Sequence, residues 1–463
     1  MQQTVQGSSL LLAYYGDDFT GSTDSLEALT LAGLRTVLFL RCPDPVLLRT
    51  RFPNLQCFGV AGVTRSMTPS ALATELSTGL SQLRQTQAPI IHYKVCSTFD
   101  SSPAIGSIGK AIDVGKVLFH TQRTIPLLVG APALRRYTVF GNHFAAMWKD
   151  IYRLDRHPIM SKHPVTPMDE ADLRCLLRRQ TDSIVALMSV LDLEGSVEAV
   201  EERFDRLVVN SPDVVLFDVL NEDHMLVIGH LIWREAQSAQ QFVVGSSGVE
   251  YALTAHWRAN GTIPTPAPRF NPVGSAGPLL VVSGSCSAVT QRQIEWAVQH
   301  GFVGVRIPVE QYARRHGRYR GAFQEVLEQA VAALNAERNV VLYTALGPDD
   351  PRISETCQVL QSAGVPHEAV GETIGRRLGW LTREVVKRTA IRRLLIAGGD
   401  TAGYTVRELD IDGLEMSMPI APGSPLCVIH AADSRYDGLQ VALKGGQVGG
   451  EDYFGRVQMG LCE

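Results

Sequence analysis

Short, largely apolar runs recur along the chain, separated by polar loops and by stretches in which apolar residues return every three or four positions. In the first half the runs are SLLLAYYG, TVLFL, NLQCFGVAG, IIHYKV, TIPLLVGAP, SIVALMSV, DVVLFDV and QFVVGSSG. Such runs, lacking strict polar alternation, predict strands covered on both faces, as in a parallel sheet. Amphipathic stretches such as SVEAVEERFDRLVVN separate many of them and predict helices. The first repeat of the pattern is the strand SLLLAYYG, the loop DDFTGS and a helix through DSLEALTLAG, which Gly33 ends. Alternating strand and helix over this length predicts doubly wound, mostly parallel sheets.

The alternation breaks at Gly261–Gly277, GTIPTPAPRFNPVGSAG, which is rich in Pro, Gly and small residues and has no periodicity. That is a linker composition. Strands then resume with PLLVVSG, FVGVRI, VVLYTAL and RRLLIAGGD, alternating with helical stretches such as FQEVLEQAVAALNAER. The expected fold is therefore α/β with two domains, each a mostly parallel sheet flanked by helices, and a cleft between them. The expected boundaries are 1–260, a linker at 261–278, and 279–463.

Composition narrows the function. The chain has 463 residues, 45% of them hydrophobic, enough for two substantial cores. A net charge of -4 gives no global field for nucleic acid or an anionic membrane, though a local cluster of cations can still hold an anionic metabolite. None of the eight cysteines forms a CxxC pair or a zinc spacing, which points to a reducing compartment. Leu10–Tyr15 lacks a basic flank and runs into Gly16-Asp17-Asp18, so it reads as a core strand, not a signal peptide. No apolar run approaches the roughly 18 residues of a membrane span. A cytoplasmic location is expected.

Candidate chemistry lies just after strands, where open α/β sheets bind ligands. The first site is Gly16-Asp17-Asp18-Phe19-Thr20-Gly21-Ser22-Thr23-Asp24. Asp17 and Asp18 are suited to accept substrate hydroxyls, hold a metal or act as a base. Capping of the helix by Ser22 or Asp24 is the purely structural alternative. The second is Lys94-Val95-Cys96-Ser97-Thr98-Phe99-Asp100-Ser101-Ser102-Pro103, where Pro103 suits a first helical position. Its hydroxyls and free N–H groups suit an anion. Arg65, also at a strand end, suits bidentate pairing with a carboxylate.

In the second half, Ser283-Gly284-Ser285-Cys286-Ser287 opens a helix and suits a phosphate. Gly398-Gly399-Asp400-Thr401-Ala402-Gly403 and Lys444-Gly445-Gly446-Gln447-Val448-Gly449-Gly450 add two glycine-rich turns after strands. Together they read as a polyphosphate cradle, although none is a Walker A or dinucleotide fingerprint. The chain has no GxSxG elbow or HExxH pair.

Taken in order, GDDFTGSTD, TRS, KVCSTFDSSP, HPVTPM, SGSCS, GGDTAG and LKGGQVGGEDYF resemble the four-carbon acid sugar kinase family, from about Leu10 to Phe454. The resemblance implies an N-terminal sugar-acid-binding domain and a C-terminal nucleotide-binding domain. It implies that Asp17, Asp18, Arg65 and Lys94, with Ser97, Thr98 and Asp100, meet the sugar acid. Ser285 or Ser287, the turn Gly398, Gly399, Asp400 and Thr401, and Gly445 would meet ATP. Gln447 stands where the family has Asn, and Arg135–Met147 departs from the family pattern.

The expected reaction is transfer of the γ-phosphoryl of Mg2+-bound ATP to a hydroxyl of threonate, erythronate or a 3-oxo-tetronate. In this reading Arg65 and Lys94 hold the substrate carboxylate, and Asp17 or Asp18 orients the hydroxyl. A kinase for a branched oxo acid such as 3-oxo-isoapionate is the first alternative, and a non-catalytic sugar-acid-binding protein the second. No nucleic-acid or membrane partner is expected, and a homodimer is the base-rate assembly for an enzyme of this size.

Overall fold

The computed structural model describes residues 10–462 apart from Trp148, Pro164, residues 314–319 and residues 367–368. The chain divides into two compact units at Pro268/Arg269.

In the first unit the strands are β1 (Leu12–Gly16), β2 (Thr36–Phe39), β3 (Cys57–Ala61), β4 (Ile90–Lys94), β5 (Ile125–Leu128), β6 (Arg136–Val139), β7 (Asn142–Met147), β8 (Asp150–Arg153), β9 (Val185–Met188), β10 (Val214–Phe217) and β11 (Gln241–Gly245). The main sheet runs β2-β3-β1-β4-β11-β5-β10-β9, with every neighbouring pair parallel. Both faces are covered, which explains the unbroken apolar runs. Ala13 and Tyr15 of β1 pack into one core with Leu72, Leu76, Ala111 and Ile112 from the helices Pro69–Gln85 and Ile108–Leu118. Leu12 and Tyr14 point the other way, towards the side where helix Phe19–Leu31 packs on helix Gly248–Ala259. The helices that follow β1 and β4 thus lie on opposite faces, the arrangement that opens a ligand crevice at strand ends. Register levels that edge: Gly16 pairs with Ala61 and Lys94, and Lys94 pairs with Gly245.

The less regular stretch after β5 folds into a small antiparallel sheet, β6-β7-β8. It joins the main sheet's carboxyl edge through the pairing of Ala131 with Arg136. The helix expected to open at Pro103 begins instead at Ile108, capped by Ser107, whose Oγ accepts from Lys110 N at 3.1 Å. Ser102 spends its hydroxyl within its own turn, accepting from Ile105 N at 3.0 Å.

The second unit carries β12 (Leu279–Ser283), β13 (Val303–Arg306), β14 (Val340–Tyr343), β15 (Arg393–Ala397), β16 (Gly413–Ala421), β17 (Ser424–His430) and β18 (Gln440–Lys444). Their order is β13-β14-β12-β15-β18-β17-β16, parallel as far as β18 and antiparallel beyond it. Ser283, Ala397 and Lys444 stand level at the carboxyl ends of three adjacent strands. Arg393 is buried in this unit. Its guanidinium binds Gln440 Oε1 at 2.8 and 2.6 Å and donates to the carbonyls of Val457 and Gln458 at 2.8 and 3.0 Å. A cation on those last carbonyls anchors the C-terminal end of helix Tyr453–Met459.

Tyr14 lies across Gly59 of β3, and its hydroxyl donates to Ser22 O at 2.8 Å. A Cβ at position 59 would lie 2.1 Å from Tyr14 Cζ. Gly59→Ala must therefore push the ring away, and should destabilise the first unit by about 1–3 kcal/mol. Denaturant unfolding reads this, and an unchanged midpoint would contradict the packing.

Candidate functional site

At the carboxyl edge of the first sheet, Asp17 is fixed by its backbone. Its N–H donates to Lys94 O at 2.8 Å and its carbonyl accepts from Arg65 N at 3.0 Å. Its buried carboxylate takes both prongs of Arg65, Nε at 3.1 Å and Nη2 at 3.0 Å. The same Nη2 reaches Asp18 Oδ1 at 3.1 Å. Asp18, not Ser22 or Asp24, caps helix Phe19–Leu31: Oδ1 accepts from Gly21 N and Oδ2 from Thr20 Oγ1, each at 2.9 Å. Lys94 is buried with Nζ 3.7 Å from Asp24 Oδ2. Gly21 allows this approach, since a Cβ there would lie 2.2 Å from Asp18 Oδ1 and 2.8 Å from Lys94 Nζ.

The electrostatics follow from crowding charge in a low-dielectric place. Burial pushes the Asp17 carboxyl up to about 6; Arg65 opposes this and Asp18 adds to it. Burial likewise raises Asp24 against the pull of Lys94. For Arg65 and Lys94 burial disfavours the charge, but the aspartates outweigh it and hold both above their ordinary values. The loop after β4 is stiff. Phe99 is buried and sits at φ 54°, a conformation uncommon for a residue with a side chain. Thr98 Oγ1 donates to Asp100 Oδ1 at 2.7 Å, and Ser97 O accepts from His143 Nε2 at 2.7 Å. Burial raises Asp100, but Arg65 and Thr98 prevail and keep its carboxyl below its ordinary value. Asp17, Asp18, Arg65, Lys94 and Asp100 thus gather at one place, with Ser97 and Thr98 in the adjoining loop.

Four further residues stand close by: Asp24 and His143, which the sequence offered only as a helix cap and as a structural histidine, and His92 and Glu250, which it did not single out. Asp24 is the partner of Lys94. His143 of β7 bridges Thr138 Oγ1 (3.0 Å) and the Ser97 carbonyl. His92 and Glu250, both fully buried, pair at 2.7 Å between β4 and helix Gly248–Ala259. Asp24 stood inside the first motif and His143 in the segment Arg135–Met147, whereas nothing local in the sequence marks His92 or Glu250.

In the second unit, three loops converge beyond β12, β15 and β18. Ser287 caps helix Ala288–Gln299, accepting from Thr290 N at 3.1 Å. Its hydroxyl also donates to Gly446 O, and Thr290 Oγ1 donates to the same oxygen at 3.2 Å. Gln293 Nε2 donates to the carbonyls of Val448, Gly449 and Gly450 at 3.0, 3.1 and 2.8 Å, closing the last glycine loop onto the helix. Gly284 and Gly398 crowd Thr401: a Cβ on either would lie 2.7 or 2.2 Å from its Oγ1. Among the described residues nothing lies within 4 Å of the Gly399 Cβ position, and no side chain caps the helix Asp400–Arg407 that follows it. Ser285 Oγ lies 3.4 Å from Ser287 Oγ, and Gly445 leads the third loop. The side chain of Asp400 lies outside the described residues. Two helix N-termini and glycine backbone in one place suit an anionic, polyphosphate ligand.

Lys444 lies beneath these loops. It is fully buried, and its Nζ donates to Thr290 Oγ1 at 2.9 Å, with no carboxylate partner among the described residues. Burial pushes its ammonium down to about 7 from 10.5. Between those values the unfolded chain holds a proton that the folded chain has released, so stability rises with pH across that window. Lys444→Met should therefore raise the Tm by a few degrees at neutral pH, with a smaller gain at alkaline pH, and should weaken nucleotide binding. Thermal melts at both pH values check this; an equal gain at both would contradict it.

Comparisons with known proteins bear on both units. The family described as sugar-binding N-terminal domain matches residues 12–253, and that described as nucleotide-binding C-terminal domain matches residues 280–454. A 3-oxo-isoapionate kinase of Paraburkholderia graminis is 44% identical over 460 residues, covering 99% of this chain and 96% of that protein. A 3-oxo-tetronate kinase of Methylobacterium radiotolerans is 30% identical over 457 residues, covering 97% and 99%. The crystal structure of a Salmonella typhimurium protein, provisionally described as a tRNA synthase, superposes with a TM-score of 0.76 at 25% identity, covering 97% of this chain and 99% of that one. Matched along both units and aligned almost end to end with curated sugar-acid kinases, the chain belongs to the four-carbon acid sugar kinase family.

Proposed function

We propose that this kinase transfers the γ-phosphoryl of ATP to a hydroxyl of a small oxidised sugar acid. A branched oxo acid of the 3-oxo-isoapionate type is the first candidate, because the relative of that name shares 44% identity against 30% or less for the 3-oxo-tetronate kinases compared. The observation that carries the reading is the Asp17–Asp18 pair pinned by Arg65 at a strand end. Residues 1–260 hold the acid and residues 279–463 hold the nucleotide.

Phosphoryl transfer needs positioning and charge neutralisation more than covalent chemistry. Asp17 acts as the base: a carboxyl pushed up to about 6 is better matched to a hydroxyl proton near neutral pH than an ordinary one. Asp18, less buried than Asp17, orients the acceptor hydroxyl. Arg65 and Lys94 hold the aspartates in place, since both are already engaged by carboxylates. Ser285, Ser287, Gly398, Gly399, Asp400, Thr401 and Gly445 surround the phosphates. Mg2+ arriving with ATP would be held mainly by phosphate oxygens and water and would neutralise charge on the transferring group.

A coupled ADP-release assay against 3-oxo-isoapionate, 3-oxo-tetronates, threonates and erythronates tests the reading. ADP release should depend on one acid, and no turnover on any of them would refute it. Asp18→Asn, which disturbs the orientation of the acceptor hydroxyl, should lower kcat about 100-fold while ATP still binds. With Asp17 as the base, kcat/KM should rise with pH through about 6 and then level off. A wild-type profile flat across that region would remove Asp17 from the role.

A further inference from the structure

The site has a charge problem. Asp17, Asp18, Asp24 and Asp100 stand against Arg65 and Lys94, and both cations already face aspartates. Arg65 spends Nε and Nη2 on Asp17 and Asp18, and Lys94 faces Asp24. A further cation near the same strand ends would serve the carboxylate of an acid substrate.

Arg136 opens β6, in the segment that departs from the family pattern. Its backbone pairs with Ala131, just past β5: Ala131 N donates to Arg136 O at 2.9 Å and Arg136 N to Ala131 O at 3.1 Å. β5 neighbours β11, which neighbours β4, so Arg136 rises from the edge that bears Lys94. The bridge from Thr138 through His143 to the Ser97 carbonyl ties this small sheet to the loop after β4. Burial pushes His143 down to about 4, so the ring is neutral and holds one tautomer: Nε2–H donates to Ser97 O, and Nδ1 accepts from Thr138.

The half-buried Arg136 guanidinium is used on one side only. Nη1 donates to the carbonyls of Leu134, Arg135 and Ala146 at 3.1, 3.3 and 3.3 Å. Among the described residues it pairs with no carboxylate, and its Nε is buried without a partner. The unpartnered edge, Nε with Nη2, is the edge by which Arg65 grips Asp17. Its charge is close enough to be felt at Asp24, Cys96 and His143.

We propose that Arg136 is the substrate-carboxylate residue of this site, receiving a small carboxylate in a two-pronged grip on Nε and Nη2. The inference rests on the sugar-acid reading above. It assigns the anion-binding role to a residue of the small sheet, leaving Arg65 and Lys94 to position the aspartates.

The test is calorimetric binding, without ATP, of 3-oxo-isoapionate, D-erythronate and D-threonate, with the neutral polyols erythritol and threitol as controls. The wild type should bind an acid and discriminate against the polyols. Arg136→Gln should weaken acid binding about 10- to 100-fold and lose that discrimination, with ATP affinity unchanged. Arg136→Lys should recover part of it, since it restores charge without the fork. No acid binding by the wild type, or equal acid binding by Arg136→Gln, overturns the proposal. Loss of ATP affinity in the same variant also overturns it, by showing a general structural effect. The two readings fail separately. Acid binding that depends on Arg136, without turnover of any acid, would sink the kinase reading and keep the carboxylate site. Turnover by the wild type with unchanged kcat/KM in Arg136→Gln would do the reverse.

Discussion

Asp17 and Asp18 can stand side by side at the end of a buried strand because one guanidinium lies across both. Two like charges about 4 Å apart repel by about 4 kcal/mol at an effective dielectric of about 20. Arg65 offsets that repulsion with three hydrogen bonds of 3.0–3.1 Å. Much of the first unit serves to deliver it. β3 must lie beside β1 in a fixed register, and the turn after β3 must present Arg65 N to the Asp17 carbonyl. Lys94 arrives from the other side, on β4, and is admitted by the missing side chain of Gly21. The result is a carboxylate pair that is held in place and only partly neutralised, suited to gripping hydroxyls.

The second unit solves the opposite problem with the same means. Its ligand is a polyanion, and the donors are backbone N–H groups and hydroxyls at helix starts, with one buried ammonium. Lys444 lowers the stability of the fold and gains a reason only when phosphate charge lies close by. A strained or costly group at a strand end is where function is expected to override stability.

Much of this was readable in the sequence, for a physical reason. Strands covered on both faces leave unbroken apolar runs, and parallel topology puts ligand residues directly after them, so GDDFTGS, TRS, KVCSTFD, SGSCS and GGDTAG announce themselves. What escaped is what depends on distant partners. β6, β7 and β8 are short, polar and stabilised by pairing with one another, so RYTV and NHFAAM carry no strong period. β16 and β17 pair antiparallel at the far side of their sheet and broke the expected alternation. The helix expected to open at Pro103 starts after Ser107 instead, where Gln180, distant in the chain, accepts from Ser107 Oγ and Gly109 N. A lysine followed by glycines looks like an exposed loop residue until the sheet places Lys444 under a helix.

A kinase of this family moves phosphoryl from ATP to a sugar-acid hydroxyl. The direct measurement is incubation of the protein with 3-oxo-isoapionate and ATP labelled with heavy oxygen in its terminal phosphoryl, followed by mass analysis of all phosphorus-containing products. The label should appear in a phosphorylated acid, in step with ADP. Label recovered only in inorganic phosphate, or ATP left intact with every acid offered, would contradict it.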